Sequence, residues 1–268
     1  MINKQVSIVI PTFNRADYLI ECIDSCLAQT QPCEIIVCDH GSTDNTPEVI
    51  KKYGDKIKYV RREIDSGVHF CWMDGILHCS NDLIHINYDD DWIKPTFIED
   101  CVNLFKEDVG FVFSNTIVYY ENQKEYSDNL YNLNKNSGVF PVKNFLKFNK
   151  DNMVSPGAVI FRKKMLLDNL FVGKIPFSQN EYHGVGPDIL FSIMSCIEYP
   201  LYGFISEPLA IFRAHDKSIT IDALSDTTKQ KKIQNAYNDA RVYYFLSKII
   251  KNYNIFSLIK KIKIKKQR

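Results

Sequence analysis

Three consecutive carboxylates, Asp89, Asp90 and Asp91, follow directly on the apolar run Leu83-Ile84-His85-Ile86. Adjacent anions repel one another and gain nothing from burial unless a cation joins them. A hard divalent ion, Mn²⁺ or Mg²⁺, suits this donor chemistry, with one or two carboxylates and substrate phosphate oxygens as its ligands. The run has the length and β-branched content of a buried strand, which places the carboxylates at its C-terminal end. Ligands of open α/β sheets bind at that edge. The same residues also suit a solvated acidic turn before a helix, capped by Asp91 or Thr96.

A second polar pair, Arg213 and His215, follows the apolar run Leu209-Ala210-Ile211-Phe212. Alternation along a strand puts both side chains on one face. A cation and an imidazole so placed could hold a diphosphate and its ion, or form an exposed basic turn.

The elements that must position these groups alternate in type. Val6–Ile10, Glu34–Cys38, Lys56–Arg61, Leu83–Tyr88 and Gly110–Ser114 read as strands, the first stopped by Pro11. Helical spacing fills the intervals: Ala16 to Gln29 with Leu19, Ile23, Cys26 and Leu27 on one face, Pro47 to about Tyr53, Gly67 to Cys79, and Pro95 to about Phe105. Strand–helix alternation with short loops predicts a mostly parallel α/β sheet. The rhythm breaks after Ser114. Tyr119 to Ser137 reads as a long loop or irregular hairpin, and Val159–Phe161 as a strand followed by a helix to about Leu170. Tyr202–Ile205 and Leu209–Phe212 read as two strands separated by Pro208, and Ser225 to Lys251 as one long helix. Neither G-x-G-x-x-G nor G-x-x-x-x-G-K-[ST] is present, so a nucleotide would not be held by a glycine-rich cradle.

Composition narrows the classes. The 268 residues are 45% hydrophobic, enough for a sizeable core, and the formal net charge is +1, so no global field draws the chain to nucleic acid. The 8 cysteines show no metal-pair spacing. They read as reduced core residues, which suits a cytoplasmic protein. The apolar run at the N-terminus is too short for a signal sequence or a span.

Five stretches, in order, resemble the inverting GT-A glycosyltransferases of family two. They are SIVIPTFNR at 7–15, EIIVCDHGSTDNT at 34–46, DDD at 89–91, GPDILFSI at 186–193 and PLAIFRAHDKSIT at 208–220. Together they cover residues 5 to about 220. The resemblance implies a GT-A fold: a mostly parallel twisted sheet flanked by helices, a smaller acceptor-side region and a C-terminal helix. It implies a nucleotide-sugar-binding half at 1–115, an acceptor-binding and catalytic half at 116–222, and a helix and basic tail at 223–268. Two departures stand out. Asp39-His40 replaces the family's usual acidic pair, and Met73-Asp74-Gly75 stands where the family often has Arg-Asn before the glycine.

Transfer of a sugar to a hydroxyl requires a stabilised diphosphate leaving group, a base for the acceptor proton, and exclusion of water. By resemblance, Pro11, Thr12, Phe13 and Arg15 lie against the nucleotide, mainly through main chain. Asp39 and His40 are candidates for its base and ribose, and each also suits a plain loop role. Asp89 faces the ribose side and Asp91 the ion, with Asp90 beside the donor, Arg213 at the diphosphate and His215 at the metal. Asp44 is expected to cap the helix entered at Thr46. Asp188 is the candidate general base, with a simple helix cap as its other reading and Glu181 as its rival. Ser155–Ala158 resembles the segment beneath the transferred sugar.

The resemblance implies a metal-dependent inverting hexosyl transfer from a nucleotide-diphosphate donor to a glycan or lipid-linked acceptor, as in bacterial surface polysaccharide synthesis. A catalytically inactive fold relative that binds glycans or partners is the alternative. A nucleotidyltransferase is disfavoured by the missing triphosphate loop. Ile255 to Arg268 alternates apolar residues with lysines and contains no acid. A basic amphipathic segment of that kind suits peripheral contact with the inner face of the plasma membrane, or a solubilising tail.

Overall fold

The computed structural model describes residues 3–150, 152–178, 187–216 and 226–253. Among the described residues ten strands form one sheet in the order β3-β2-β1-β4-β9-β6-β10-β5, with β7 hydrogen-bonded to β6 and β8 to β10. The strands are β1 Val6–Thr12, β2 Glu34–His40, β3 Lys58–Arg62, β4 Leu83–Ile86, β5 Trp92–Ile93, β6 Val109–Tyr120, β7 Glu125–Tyr126, β8 Gly138–Pro141, β9 Val159–Arg162 and β10 Leu201–Ala214. The helices are α1 Ala16–Leu27, α2 Thr46–Lys51, α3 Val68–His78, α4 Phe97–Asn103, α5 Val142–Phe148, α6 Lys163–Asn169, α7 Pro187–Glu198 and α8 Thr227–Asn252.

Strands β1 to β4 are mutually parallel, and β9 runs antiparallel between β4 and β6. Two reversals restore the direction, so β6 and the parallel β10 end at the same edge as β1, β2 and β4. The sheet crosses the expected boundary at residue 115 inside β6, so the two halves share one core.

β1 is buried along its whole length, as its unbroken apolar run requires of a central strand covered on both faces. It also runs past Pro11, contrary to expectation. Its pairing with β4 ends at Val9↔Ile86, while pairing with β2 continues through Thr12↔Asp39. The missing Pro11 N–H would have faced the side where pairing has already stopped, so no ladder bond is lost.

On the β6–β10 half, alternation sorts the side chains to two faces. Phe111, Phe113, Tyr202 and Phe204 stack on one side with Phe145 of α5; the Phe111–Phe145 centroids are 4.8 Å apart and those of Phe113–Phe204 are 5.0 Å apart. Phe161 of β9 packs against Phe191 of α7 at 5.7 Å. On the other side α4 comes close: a Cβ on Gly203 would lie 2.8 Å from Val112 and 3.2 Å from Leu104. A comparable squeeze seats α3 on β1 and β2, where a Cβ on Gly75 would meet Val9 at 2.3 Å and Cys38 at 2.9 Å.

The two strands expected around Pro208 are one 14-residue strand. Register shifts on either side of Pro208 absorb its missing donor. β6 runs past Ser114, its expected end, to Tyr120, and its hairpin with β7 opens the stretch from Tyr119 to Ser137 expected as a long loop or irregular hairpin. The α1 face is Leu19, Cys22, Ile23 and Cys26, whereas Leu27, expected there, is exposed at the helix end. All eight cysteines are free thiols, six of them buried.

Candidate active site

The carboxylate triplet lies between two strands rather than in an open turn. β4 ends at Ile86, and Trp92–Ile93 pairs antiparallel with β10 through Ile211↔Trp92 and Ala210↔Ile93. Asn87 closes the intervening segment: its side-chain amide donates to the carbonyl of Asp91 at 3.3 Å, and its backbone N–H donates to Val9 at 2.9 Å. The triplet is therefore fixed at the shared C-terminal edge of β1, β4 and β10.

The three carboxylates have different fates there. Burial alone would raise Asp90, but His215 and Arg15 outweigh it and hold Asp90 below the usual carboxylate range. Arg15 Nη1 donates to Asp90 Oδ2 at 2.5 Å, and His215 Nε2 lies 3.0 Å from the same oxygen and 3.1 Å from Arg15 Nη1. Asp89 is pushed up to about 7 by burial and by the charge of Asp90, against the opposing pull of Arg15, the Thr12 hydroxyl and the Phe13 N–H. Asp91 is pushed well above the usual range by burial and by Asp90. The Arg213 N–H donates to Asp91 Oδ1 at 2.8 Å.

Gly157 backs this site. A Cβ there would lie 3.1 Å from Phe212 and 3.6 Å from Asp91 Oδ2. The turn Pro156–Ala158 at the start of β9 thus passes directly behind the buried carboxylate.

Arg213 and His215 both reach Asp90, as strand alternation predicts. The Arg213 guanidinium is committed to protein. It donates to the Asp90 carbonyl at 3.0 Å and to Glu121 at 3.1 Å, pairs with Glu21 of α1, and stacks over Trp92 at 4.7 Å and Tyr18 at 5.1 Å. Contact with a diphosphate requires some of these bonds to open. The His215 ring stacks on Tyr18 at 4.7 Å. Its Nε2 must leave Asp90 and Arg15 before it can ligate an ion. Tyr18, Glu21, Trp92 and Glu121 were not singled out in the sequence. Their partners Arg213 and His215 lie 92 to 197 residues away, and no local spacing marks them.

The loops after β1 and β2 are laced together. Thr12 is aligned with Asp39 across the two strands. The Asn14 N–H donates to Ser42 Oγ at 2.9 Å, and the Thr43 N–H donates to Asn14 Oδ1 at 2.7 Å. Asp44 accepts from Thr46 N–H at 3.0 Å and from Ala16 N–H at 3.2 Å, so it ties the start of α1 as well as that of α2. Asp39 is fully buried and accepts from Ser42 N–H at 2.8 Å, Tyr59 at 2.6 Å and Arg61 at 2.5 Å. His40 faces the opposite side, over Phe70 of α3, with Nδ1 3.8 Å from Asp65. Burial pulls its imidazole below the ordinary value, against the nearby Asp65. Phe13, which follows the end of β1, is exposed.

Asp188 stands in the first turn of α7, where its Oδ1 accepts from the Ile189 N–H at 2.9 Å. Its charge reaches Tyr88, the residue preceding the triplet, whose phenol is pushed well up by burial first and by Asp188 next. Trp72 lies between the rings of Tyr88 at 6.0 Å and Phe191 at 6.1 Å. An aromatic wall therefore links the triplet to the start of α7. Glu181 lies outside the described residues, as does the tail from 254 onward.

The donor set fits a divalent ion held partly by substrate. Asp89 and Asp91 are buried carboxylates raised by burial and by Asp90, and an added cation at Asp91 would offset both effects. Among the described residues no three histidine, cysteine or acidic side chains converge as a complete metal cage. The protein would supply one or two ligands, with phosphate oxygens and water completing the shell.

Similar proteins share this framework. An uncharacterised glycosyltransferase of Rickettsia typhi is 29% identical over 238 residues, covering 87% of this chain and 71% of that protein. Glycosyltransferase GlyA of Streptococcus pneumoniae is 27% identical over 144 residues, but those are 52% of this chain and only 19% of GlyA. Among solved structures, Staphylococcus aureus TarS 1-349 in complex with UDP-GlcNAc superposes with a TM-score of 0.64 at 16% identity, covering 88% of this chain and 72% of that one. The mannosyltransferase PcManGT of Pyrobaculum calidifontis, in complex with GDP-Man and Mn²⁺, gives 0.56 at 14% identity, covering 91% and 76%. Both have the same GT-A fold as this chain. Residues 7–170, from β1 through α6, match the model of Glycosyl transferase family 2, and the chain belongs to that family.

Proposed function

We propose that the protein transfers a sugar from a nucleotide-diphosphate donor to an acceptor hydroxyl in a single inverting displacement. The observation that carries this reading is the pair of buried carboxylates, Asp89 and Asp91, at the sheet edge where β1, β4 and β10 end. Family membership supports the reaction class. The nucleotide sugars in the TarS and PcManGT complexes support the donor class, and the Mn²⁺ in the latter supports a divalent ion.

In this reading the main chain at Pro11, Thr12 and Phe13 lies along the nucleotide, with Asp39 on the side of its base and ribose; His40, expected there too, faces Phe70 of α3 instead. Asp89 orients the ribose side of the donor. Arg15, paired with Asp90, and Arg213 set the positive side of the diphosphate cradle. Asp91 would hold Mn²⁺ or Mg²⁺, with His215, whose Nε2 now lies 3.0 Å from Asp90, as a further candidate ligand. When bound, the ion neutralises charge on the departing diphosphate. The acceptor oxygen attacks the anomeric carbon as the bond to the diphosphate breaks. Asp188 takes the acceptor proton. Trp72, Tyr88 and Phe191 keep water from the donor.

The proposed acceptor is a glycan or lipid-linked hydroxyl in bacterial surface polysaccharide synthesis, reached from the cytoplasmic face of the plasma membrane. The six basic residues and no acid within 254–268 support that location.

The test is release of nucleoside diphosphate from a panel of nucleotide sugars, with Mn²⁺, with Mg²⁺ and with a chelator. Metal-dependent release from at least one donor, increased by a glycan acceptor, is the expected result. Donor binding without release under any of these conditions would instead indicate an inactive binder.

A further inference from the structure

Helix α8 presents two different surfaces. Its inner face is docked: Ala236, Ala240 and Tyr244 are buried, Arg241 donates to the Lys150 carbonyl at 3.0 Å, and Lys251 donates to the Ile197 carbonyl at 3.1 Å and pairs with Glu198 at 2.8 Å. The outward face changes character along its length. Thr228, Lys231, Asn235 and Asn238 make it polar and exposed over the first half. Val242, Phe245, Leu246, Ile249 and Tyr253 make it apolar and exposed over the second, with Phe245 58% and Tyr253 74% exposed. At helical spacing these five side chains fall within an arc of about 100°, the width of a buried stripe. Phe177, 73% exposed beside Tyr243 at 6.4 Å, widens the patch. Because the opposite face already packs on the domain, this stripe serves an external surface.

Charge indicates which surface. From Ala240 to Arg268 the chain carries nine basic residues and no acidic one. A second copy would bring the same positive charge to the same face, and the chain beyond 253 is itself basic, so neither matches the stripe. An anionic lipid surface does, by admitting apolar side chains between its headgroups while attracting the lysines. Among the described residues no helix is long and apolar enough to cross a membrane, so this contact is one of lying on the surface.

We propose that the outward face of α8 from Val242 to Tyr253 inserts into the headgroup layer of an anionic bilayer, lying flat. This deepens the membrane location proposed above by naming the inserted surface. It does not depend on the catalytic assignments.

The test is flotation of the full chain with vesicles of phosphatidylcholine alone or with about a third phosphatidylglycerol. Three proteins are compared: the parent, the triple variant Val242→Asn/Phe245→Asn/Ile249→Asn, and a deletion of residues 254–268. The parent is expected to bind only the anionic vesicles. The triple variant, with its tail intact and its melting temperature unchanged, is expected to bind at least about tenfold more weakly. Leu77→Asn, a loss of exposed apolar surface elsewhere, should bind like the parent. In a second measurement, Phe245→Trp emission should be quenched by brominated phosphatidylglycerol and Leu77→Trp emission should not. If the deletion abolishes binding while the triple variant binds like the parent, the tail alone is the anchor and the insertion of α8 is refuted, though the membrane location stands. If the triple variant instead turns a dimer into a monomer by light scattering with vesicle binding unchanged, the stripe is a self-association face and the proposal fails. No binding by the parent refutes both the insertion and the location.

Discussion

Arg15 and Asp90 meet at 2.5 Å, joining the exit of the first strand to the middle of the carboxylate triplet 75 residues later. The pair sets Asp90 apart from its two neighbours. Asp90 is neutralised by protein, while Asp89 and Asp91 on either side are raised by burial and by its charge. Removing one partner of a largely buried ion pair leaves the other uncompensated. Arg15→Met is therefore expected to cost about 2 kcal/mol of folding stability, allowing for the partial exposure of both side chains and the remaining His215 contact. Asp90→Asn in the same chain should restore much of that loss. Urea unfolding of the two single variants and the double variant measures the coupling. Additive losses would mean that the pair is solvent-screened.

Asp91 has the opposite character. Its Oδ1 takes the Arg213 N–H, a bond that an asparagine oxygen can also accept. Asp91→Asn removes a buried anion beside Asp90, so its melting temperature should equal or exceed that of the parent. Turnover should fall on the order of a thousandfold, from several kcal/mol of lost charge stabilisation. Titration calorimetry with Mn²⁺ and a nucleotide sugar should show the metal dependence of donor binding gone. Parent-like Mn²⁺-dependent activity in this variant would place the ion elsewhere.

The local parts of this arrangement were legible in the sequence. Unbroken apolar runs marked β1, β2 and β4, and the triplet at the end of β4 was correctly placed at a strand exit. Alternation correctly put Arg213 and His215 on one side, where both reach Asp90. The parts that depend on distant partners were not legible. β5 is only two residues long and exists because Trp92 and Ile93 pair with β10, more than a hundred residues later. No periodicity can signal so short a strand. β10 passes Pro208 because β6 tolerates shifted registers beside it, which a propensity rule for proline does not include. Arg213 reads as a free cation in sequence and is held in the fold by Glu21 of α1 and Glu121 after β6.

His85 offers a pH-dependent test of how tightly the base of the triplet is packed. Its ring is fully buried, with Nδ1 2.9 Å from the Val159 carbonyl, and burial lowers it to about 4 from the ordinary 6.5. The unfolded chain therefore takes up this proton first as the pH falls. The stability associated with the neutral ring is complete above about pH 6.5, declines as the pH drops below that value, and is fully lost below about 4. Between pH 7 and 5 the contribution is about 2 kcal/mol. His85→Gln should flatten the fall in urea midpoint over that window relative to the parent. An unchanged slope would assign the dependence to the other histidines.

Asp188 stands in the first turn of α7, and its charge, like that of Asp91, acts on the Tyr88 phenol. Two roles make different predictions for it. As a helix cap it needs only an oxygen to accept the Ile189 N–H. As a base it must also take a proton from the attacking hydroxyl. Asp188→Asn keeps the first capacity and loses the second. Its turnover should drop by about a hundredfold or more, with donor affinity nearly unchanged because Asp89 and Asp91 are untouched. Asp188→Ala loses the acceptor as well, so it should also lose about 1 kcal/mol of stability, seen as a lower melting temperature than that of the asparagine variant. The comparison uses single-turnover rates with saturating donor, so that chemistry is separated from binding. Glu181→Gln serves as the rival. If Asp188→Asn turns over within a few-fold of the parent while Glu181→Gln is inactive, the proton goes to Glu181 and Asp188 only caps the helix.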